Sequence, residues 1–274
     1  MTKVTKIPKG IDIFTYSFPC QDLSTQGKQK GLGNNTRSGL LFQVQRILQN
    51  NLTSLPKVLL LENVKALSNK KFQIEFQLWV DFLTSIGYKS SFKILNAKDY
   101  GSAQNRERFF MVSILNSNKE FEWPSHINHK NNLANIVNKK YNTLENFQKC
   151  DNWTNFYHSL ETKEFKLTKN KIEKIELPLT KFNSENYVYL PVKYGPTLTA
   201  SGANSRLKFY FEKENKIRYL NSVEALKYMG FKASDARKVL STQIISEQDL
   251  IFLAGNSISV EVLEALFLQI IKYL

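Results

Sequence analysis

A lone cysteine, one glutamate and two alternating arginines stand at the edges of apolar runs in this chain. Cys20 follows Pro19 at the close of IDIFTYSF and opens a polar, glycine-containing loop. Glu62 interrupts KVLLLENV, and Arg106 and Arg108 lie in QNRER just before FFMVSIL. A cysteine placed where a strand gives way to a loop suits a nucleophile. Together with a carboxyl acid and guanidiniums it forms a coherent set if the electrophile is a pyrimidine ring. A thiolate that adds to C6 of cytosine leaves C5 carbanion-like. A protonated carboxyl at ring N3 absorbs that charge, and an arginine can hold the exocyclic oxygen and the cysteine. A neighbouring guanidinium also favours thiolate over thiol. Each residue has a plainer reading when taken singly. Cys20 could be structural, Glu62 a strand-end cap, and one of the two arginines a surface ion-pair residue, with Arg108 the preferred catalytic choice.

Such a set needs a scaffold that gathers strand ends. Residues 11–18 and 57–64 read as apolar strands. After the polar loop 21–35, Thr36 can cap a helix whose apolar face is Leu40, Leu41, Val44, Ile47 and Leu48. A second helix over 72–86 ends at Gly87, and KSSFKILNA and RFFMVSIL form a final pair of strands. This alternation is the rhythm of a parallel α/β sheet, where active residues collect at the C-terminal ends of strands. Cys20 and Glu62 both occupy such ends. From 117 to 185 the chain turns Lys/Asn-rich and weakly periodic, which predicts a small, irregular domain. Strands broken by a Gly/Ser/Asn loop follow over 186–212. Ser222 is the expected N-cap of VEALKYM, closed by Gly230, and an apolar helix over 259–273 follows AGNS. There is no internal repeat.

Composition narrows the setting. The 274 residues are 42% hydrophobic, enough for a large domain and a smaller one, and carry a formal charge of +14. That excess favours a polyanionic partner, nucleic acid before an anionic membrane, although the Lys/Asn richness throughout is also what an AT-rich genome produces. Two cysteines, Cys20 and Cys150, make neither a disulfide framework nor a metal-ligand spacing, so a reducing compartment is expected and Cys150 reads as incidental. His126, His129 and His158 lack acidic or cysteine partners in a ligand pattern and read as surface or structural residues. The N-terminus has no apolar signal core, and no apolar run approaches about 18 residues. The expectation is a soluble, cytoplasmic protein without metal.

The ordered motifs carry a resemblance. PCQDLSTQGKQKGL, LLLENVKAL, DYGSAQNRERFFMV, GPTLTASG, RYLNSVEALKYMGF and LAGNSISVEVLEAL resemble, in family order, six motifs of bacterial DNA (cytosine-5) methyltransferases of restriction-modification systems. They span nearly the whole chain. FNSENYVY and GPTLTASGANSR are similar to the recognition region of mollicute methyltransferases for 5′-CG-3′. The resemblance implies an α/β fold, part of a Rossmann-like class I methyltransferase sheet, with a small target-recognition domain. It implies three segments: a catalytic 1–116, a target-recognition 117–216, and a return to the catalytic domain over 217–274. It makes Cys20 the nucleophile, Glu62 the N3 proton partner, and Arg106 and Arg108 the guanidiniums around cytosine and cysteine. Pro19, Asn256 and Ser257 fall near the methyl donor, S-adenosylmethionine. Arg37 matches a phosphate contact and Gln26 a loop position that approaches DNA near the vacated base. Thr197 and Leu198 match the pair that supports the flipped-out nucleotide. Specificity is placed in the following loop, Ser201 to Asn204 with Ala203. Flipping is required, because C6 is inaccessible to a thiolate inside a stacked duplex. Double-stranded DNA is the implied partner.

The same resemblance exposes a gap. The family opens with a strand and a Phe-x-Gly-x-Gly turn for the cofactor, followed by an acidic residue for the ribose hydroxyls. Nothing before Cys20 can play those parts, since Gly10 precedes the strand. The first half of the catalytic sheet is thus expected on a complementary chain, and the 11–18 strand, left alone, becomes an exposed apolar edge. The other readings are a catalytically silent DNA-binding remnant and an RNA cytosine-5 methyltransferase of the same fold.

Overall fold

A computed structural model describes residues 3–19, 40–127, 131–137, 160, 164–176, 186–201, 205–214 and 216–274. They form two compact units. One comprises Met1–Leu95, Glu107–Ser125 and Ala265–Leu274; the other comprises Asn96–Arg106 and His126–Glu264.

The first unit is built on β1 (Ile13–Tyr16), α1 (Leu41–Gln49), β2 (Val58–Val64), α2 (Gln73–Ser85), β3 (Tyr88–Asn96) and β4 (Glu107–Leu115). The sheet order is β1-β2-β4-β3. Strands β1 and β2 are parallel, from Ile13 opposite Val58 to Tyr16 opposite Leu61. Strand β4 breaks the expected all-parallel pattern, running antiparallel to β2 from Ile114 opposite Val58 to Arg108 opposite Val64. The cause is the short link 97–106 between β3 and β4. A parallel return needs a crossover of about a dozen residues or more, so the chain folds back beside β3 instead. The Asn116 N–H donates to the Gly87 carbonyl at 2.9 Å, and the Ser90 and Ser113 hydroxyls meet at 2.8 Å.

Burial explains the sequence pattern. Val58 to Leu61 are all buried, as expected for a strand covered on both faces, which reads as a continuous apolar run. Leu41, Val44, Ile47 and Leu48 of α1 pack into the core, whereas Leu40 precedes the helix and is 37% exposed. The Thr36 cap lies outside the described residues. Helix α2 buries Phe76, Trp79 and Leu83 on one face. The Trp79 indole N–H donates to the Tyr16 hydroxyl at 3.1 Å, tying α2 to β1. Burial raises the Tyr16 phenol well above its ordinary value, so it stays neutral.

The second unit contains α3 (Leu133–Ile136), the sheet β5 (Lys166–Leu167), β6 (Glu173–Glu176), β7 (Tyr187–Tyr189), β8 (Lys208–Phe211) and β9 (Lys216–Tyr219), and the helices α4 (Ser222–Tyr228), α5 (Ala233–Ser241) and α6 (Glu247–Asn256). Helix α7 (Val260–Ile270) begins here and continues into the first unit. The five strands pair in sequence order, antiparallel except for the parallel β7–β8 contact at Tyr189 and Phe209.

Asn221, not Ser222, caps α4. Its backbone is extended (φ −86°, ψ 172°), which lets the side chain accept from the Glu224 N–H at 2.8 Å while the Glu224 carboxylate accepts from the Asn221 N–H at 3.2 Å. Ser222 is the first helical residue, too late for that geometry. The Glu224 carboxylate also receives both terminal nitrogens of Arg218, at 2.7 and 2.6 Å, in a buried bidentate pair.

Candidate active site

In the first unit, the register of β2 against β4 brings Glu62 and Arg108 together. Arg108 lies opposite Val64, so it sits diagonally from Glu62 on the same face of the sheet, where long side chains still meet. Arg108 Nε is 3.3 Å from Glu62 Oε1, and both side chains are more than four-fifths buried, at 17% and 14% exposure. A pair screened this far from water retains more of its attraction than a surface pair. The adjacent pair shows the contrast: Lys65 and Glu107, at 2.9 Å, are 53% and 41% exposed. Alternation along β4 therefore gives Glu107 to a solvated bridge and Arg108 to the enclosed carboxylate.

The residue after Glu62 fixes the neighbouring strand end. Asn63 is buried, and its amide donates to the Phe18 carbonyl at 3.1 Å while its oxygen accepts from the Val64 N–H at 2.8 Å. Phe18 immediately precedes Pro19-Cys20. Asn63 thus tethers the backbone that leads into the cysteine. Pro19 is half-buried; Cys20, Gln26 and Arg37 lie outside the described residues. The sequence signal for Asn63 is an amide inside an otherwise apolar strand, next to Glu62.

In the second unit, residues 103–106 run as a rail beside 195–198. The Gly195 N–H donates to the Ala103 carbonyl and the Asn105 N–H to the Gly195 carbonyl, both at 2.9 Å. The Thr197 hydroxyl donates to the Asn105 carbonyl at 2.7 Å. The Leu198 N–H donates to Gln104 Oε1 at 3.0 Å. Arg106 is 3% exposed, and its guanidinium donates to the carbonyls of Leu198 (2.7 Å), Gly255 (3.0 Å) and Ser257 (2.8 Å). Arg106 and Arg108, two residues apart, therefore have different partners: main-chain carbonyls distant in sequence for Arg106, and for Arg108 the Glu62 carboxylate together with the adjacent Glu107 carbonyl at 2.9 Å.

The remaining expected residues separate by exposure. Leu198 is fully buried, Thr197 half-buried and Ser201 exposed, with its carbonyl accepting from the Thr199 hydroxyl at 2.8 Å. Ala203 and Asn204 lie outside the described residues. Asn256 ends α6 with an exposed side chain; Ser257 follows as the C-cap, its hydroxyl donating to the Ala254 carbonyl at 2.8 Å. Gly255 is buried against the backbone of Thr199 and Ala200, where a Cβ would clash. Sequence reasoning singled out Asn256 and Ser257 in AGNS and missed the glycine beside them. Among the described residues no cluster of three His, Cys, Asp or Glu side chains could hold a metal ion, and no single helix is long and apolar enough to cross a membrane.

Comparison with known proteins gives a consistent picture. The family model for C-5 cytosine-specific DNA methylase matches residues 1–272. The chain is 46% identical over 266 residues to the orphan methyltransferase M.SssI of Spiroplasma monobiae, covering 94% of this chain and 65% of that protein. It is 34% identical over 277 residues to the type II methyltransferase M2.ScrFI of Lactococcus lactis subsp. cremoris, covering 97% of this chain and 68% of that one. The chain thus spans about two thirds of the length of these relatives. Among solved structures, the Entamoeba histolytica methyltransferase EhMeth superposes with a TM-score of 0.63 at 18% identity, over 96% of this chain and 76% of that one. The S. pombe Dnmt2 methyltransferase gives 0.63 at 16% identity, over 94% and 77%. At these identities the two structures establish the fold, a mixed α/β methyltransferase sheet.

Proposed function

The chain belongs to the C-5 cytosine-specific DNA methylase family, and from that premise we propose that it carries the catalytic and recognition parts of an enzyme that methylates C5 of a flipped-out cytosine in duplex DNA, within a restriction-modification system. The observation that carries this reading is the enclosed Glu62–Arg108 pair at 3.3 Å, beside an Asn63 amide that holds the strand leading to Cys20.

In this reading the Cys20 sulfur bonds to C6, and the electron pair of the C5–C6 double bond moves toward C5 and the ring. The Glu62 carboxyl gives its proton to N3, and Arg108 holds Glu62 and the exocyclic oxygen. After C5 has been methylated, loss of the C5 proton to solvent, departure of the Cys20 thiolate and return of the N3 proton to Glu62 restore the neutral ring. S-adenosylmethionine supplies the methyl group when bound. In this chain Pro19, Asn256 and Ser257 are the residues assigned to it, and the ordered end of α6 at Asn256–Ser257 suits a contact made by backbone and small polar groups. Gln26 is assigned to the DNA near the vacated base and Arg37 to a phosphate, Thr197 and Leu198 to the flipped nucleotide, and Ser201, Ala203 and Asn204 to base recognition, with 5′-CG-3′ as the target.

The proposal extends to a complementary chain. Strand β1 pairs only with β2 among the described residues, leaving an edge that can take a further parallel strand. A segment bearing the Phe-x-Gly-x-Gly turn would add that strand and hold the methyl donor.

The test is methyl incorporation from labelled S-adenosylmethionine into duplex DNA, with the chain alone and coexpressed with such a segment, followed by bisulfite sequencing. Cytosine-5 methylation that requires Cys20 is the expected result. Methylation undiminished in Cys20→Ser would overturn the mechanism. Full activity of the chain alone would remove the complementary segment. Methylation of RNA in preference to DNA would reassign the substrate.

A further inference from the structure

We infer that Gln104 and Arg106 are positioning residues for the Thr197–Leu198 segment, and through it for DNA sequence choice, rather than contacts to the reacting base. This inference rests on the methyltransferase reading above and departs from the family-based role for Arg106. The Leu198 peptide is held from both sides. Its N–H donates to Gln104 Oε1 at 3.0 Å, and its carbonyl accepts from Arg106 Nη1 at 2.7 Å.

Both side chains are anchored at their far ends. Gln104 Nε2 donates to the Tyr228 carbonyl at 3.1 Å, where α4 ends. Arg106 Nη2 donates to the Gly255 and Ser257 carbonyls, at 3.0 and 2.8 Å, where α6 ends. The last carbonyls of a helix have no intrahelical partner and carry its partial negative charge, so a buried guanidinium there is doubly favoured. One planar cation thereby ties a helix end to the recognition segment. Lysine, a compact ammonium on a flexible stem, cannot reproduce a fork across three carbonyls.

The rail ends three residues before the exposed Ser201. Leu198 is buried, Thr199 bonds to the Ser201 carbonyl, and Ser201 is exposed. Leu198 is thus the fixed point from which the chain enters the loop assigned to base reading. Loosening its peptide should blur which sequence is bound and weaken support of the flipped nucleotide, both read in DNA binding and KM, while the Glu62–Arg108 pair assigned to the chemistry is unaltered.

The experiment compares Arg106→Lys, Gln104→Met and Arg108→Lys in the enzyme as it is active, with any complementary chain present. Binding is measured by fluorescence anisotropy to a labelled duplex with one 5′-CG-3′ site and to a matched duplex with that site permuted. Methyl transfer is measured at varied DNA concentrations. Arg106→Lys and Gln104→Met should each cut the ratio of specific to permuted affinity about tenfold and raise KM for DNA, with kcat within about threefold of wild type. Arg108→Lys should lower kcat and leave the ratio intact. A normal ratio with a collapsed kcat in Arg106→Lys would overturn the inference. Amide hydrogen exchange on the unaltered protein is an arm independent of variant folding: Leu198 should be strongly protected relative to Ser201, and rapid exchange at Leu198 would overturn the inference. Failure of the methyltransferase reading shows up separately, as wild-type protein that transfers no methyl group.

Discussion

Arg108 Nε lies 3.3 Å from Glu62 Oε1, although the register partner of Arg108 is Val64. The pair is diagonal across two antiparallel strands, and an extended guanidinium reaches back one pleat to the carboxylate. Replacing either member should therefore damage chemistry while the sheet stays intact. Glu62→Gln should lower kcat by about 10²–10⁴, the usual worth of a positioned acid, and Arg108→Ala by about 10²–10³. Single-turnover methyl transfer at saturating DNA checks both. Loss of DNA binding with an unchanged single-turnover rate would contradict the assignment.

Asn63 joins two strand ends through one amide. Asn63→Ala would leave the Phe18 carbonyl and the Val64 N–H without that partner in a buried place. The expected cost is about 1–3 kcal/mol, measured as a lower urea midpoint with an unchanged slope. Because Phe18 leads into Cys20, alkylation of that thiol by iodoacetamide should also change in rate. A variant with wild-type stability and thiol reactivity would show that the tether has no role.

Gly255 has no room for a side chain. A Cβ there would collide with the main chain of Thr199 and Ala200, neither of which can rotate away. Gly255→Ala should cost about 1–3 kcal/mol as overpacking and push α6 off the segment after Leu198. Thermal melting checks the first effect, and the ratio of specific to permuted DNA affinity checks the second. An unaltered melting point would mean that the backbone yields freely there.

Glu261 gives a pH-dependent prediction. Burial raises its carboxyl above the ordinary value, bonds from Ser259 and its own backbone oppose that, and Glu264 adds to the rise. The folded state therefore binds that proton more tightly than the unfolded chain does. This contribution to stability is fully present below the unfolded pKa and is lost as pH rises through the higher folded pKa. Glu261→Gln keeps an acceptor for the Ser259 hydroxyl, which donates at 2.6 Å, and removes the titration. Urea unfolding should show the variant gaining on wild type between pH 4 and pH 7. An equal difference at both values would refute the prediction.

The family was readable from the chain because its motifs are carried by residue types at strand ends. The continuous apolar run of β2 marked a strand covered on both faces, and a carboxylate at its close stood out against it. Ser222 was the wrong cap by one residue, since capping depends on an extended backbone that a list of favoured residues does not reveal. The parallel rhythm failed at β4 because the link after β3 is too short for a crossover.

Sequence by itself determined the order of motifs, the residue types of the set and the family. Sequence preferred Arg108 to Arg106 as the catalytic arginine, but only the tertiary structure gave the two their partners. They are the same residue type, two positions apart, and what each one meets is not written in the local pattern. Long-range register places one against Glu62, and the packing of residues 195–198 and the end of α6 surrounds the other with carbonyls. A guanidinium takes its role from the acceptors it meets, and those come from parts of the chain that only folding brings near.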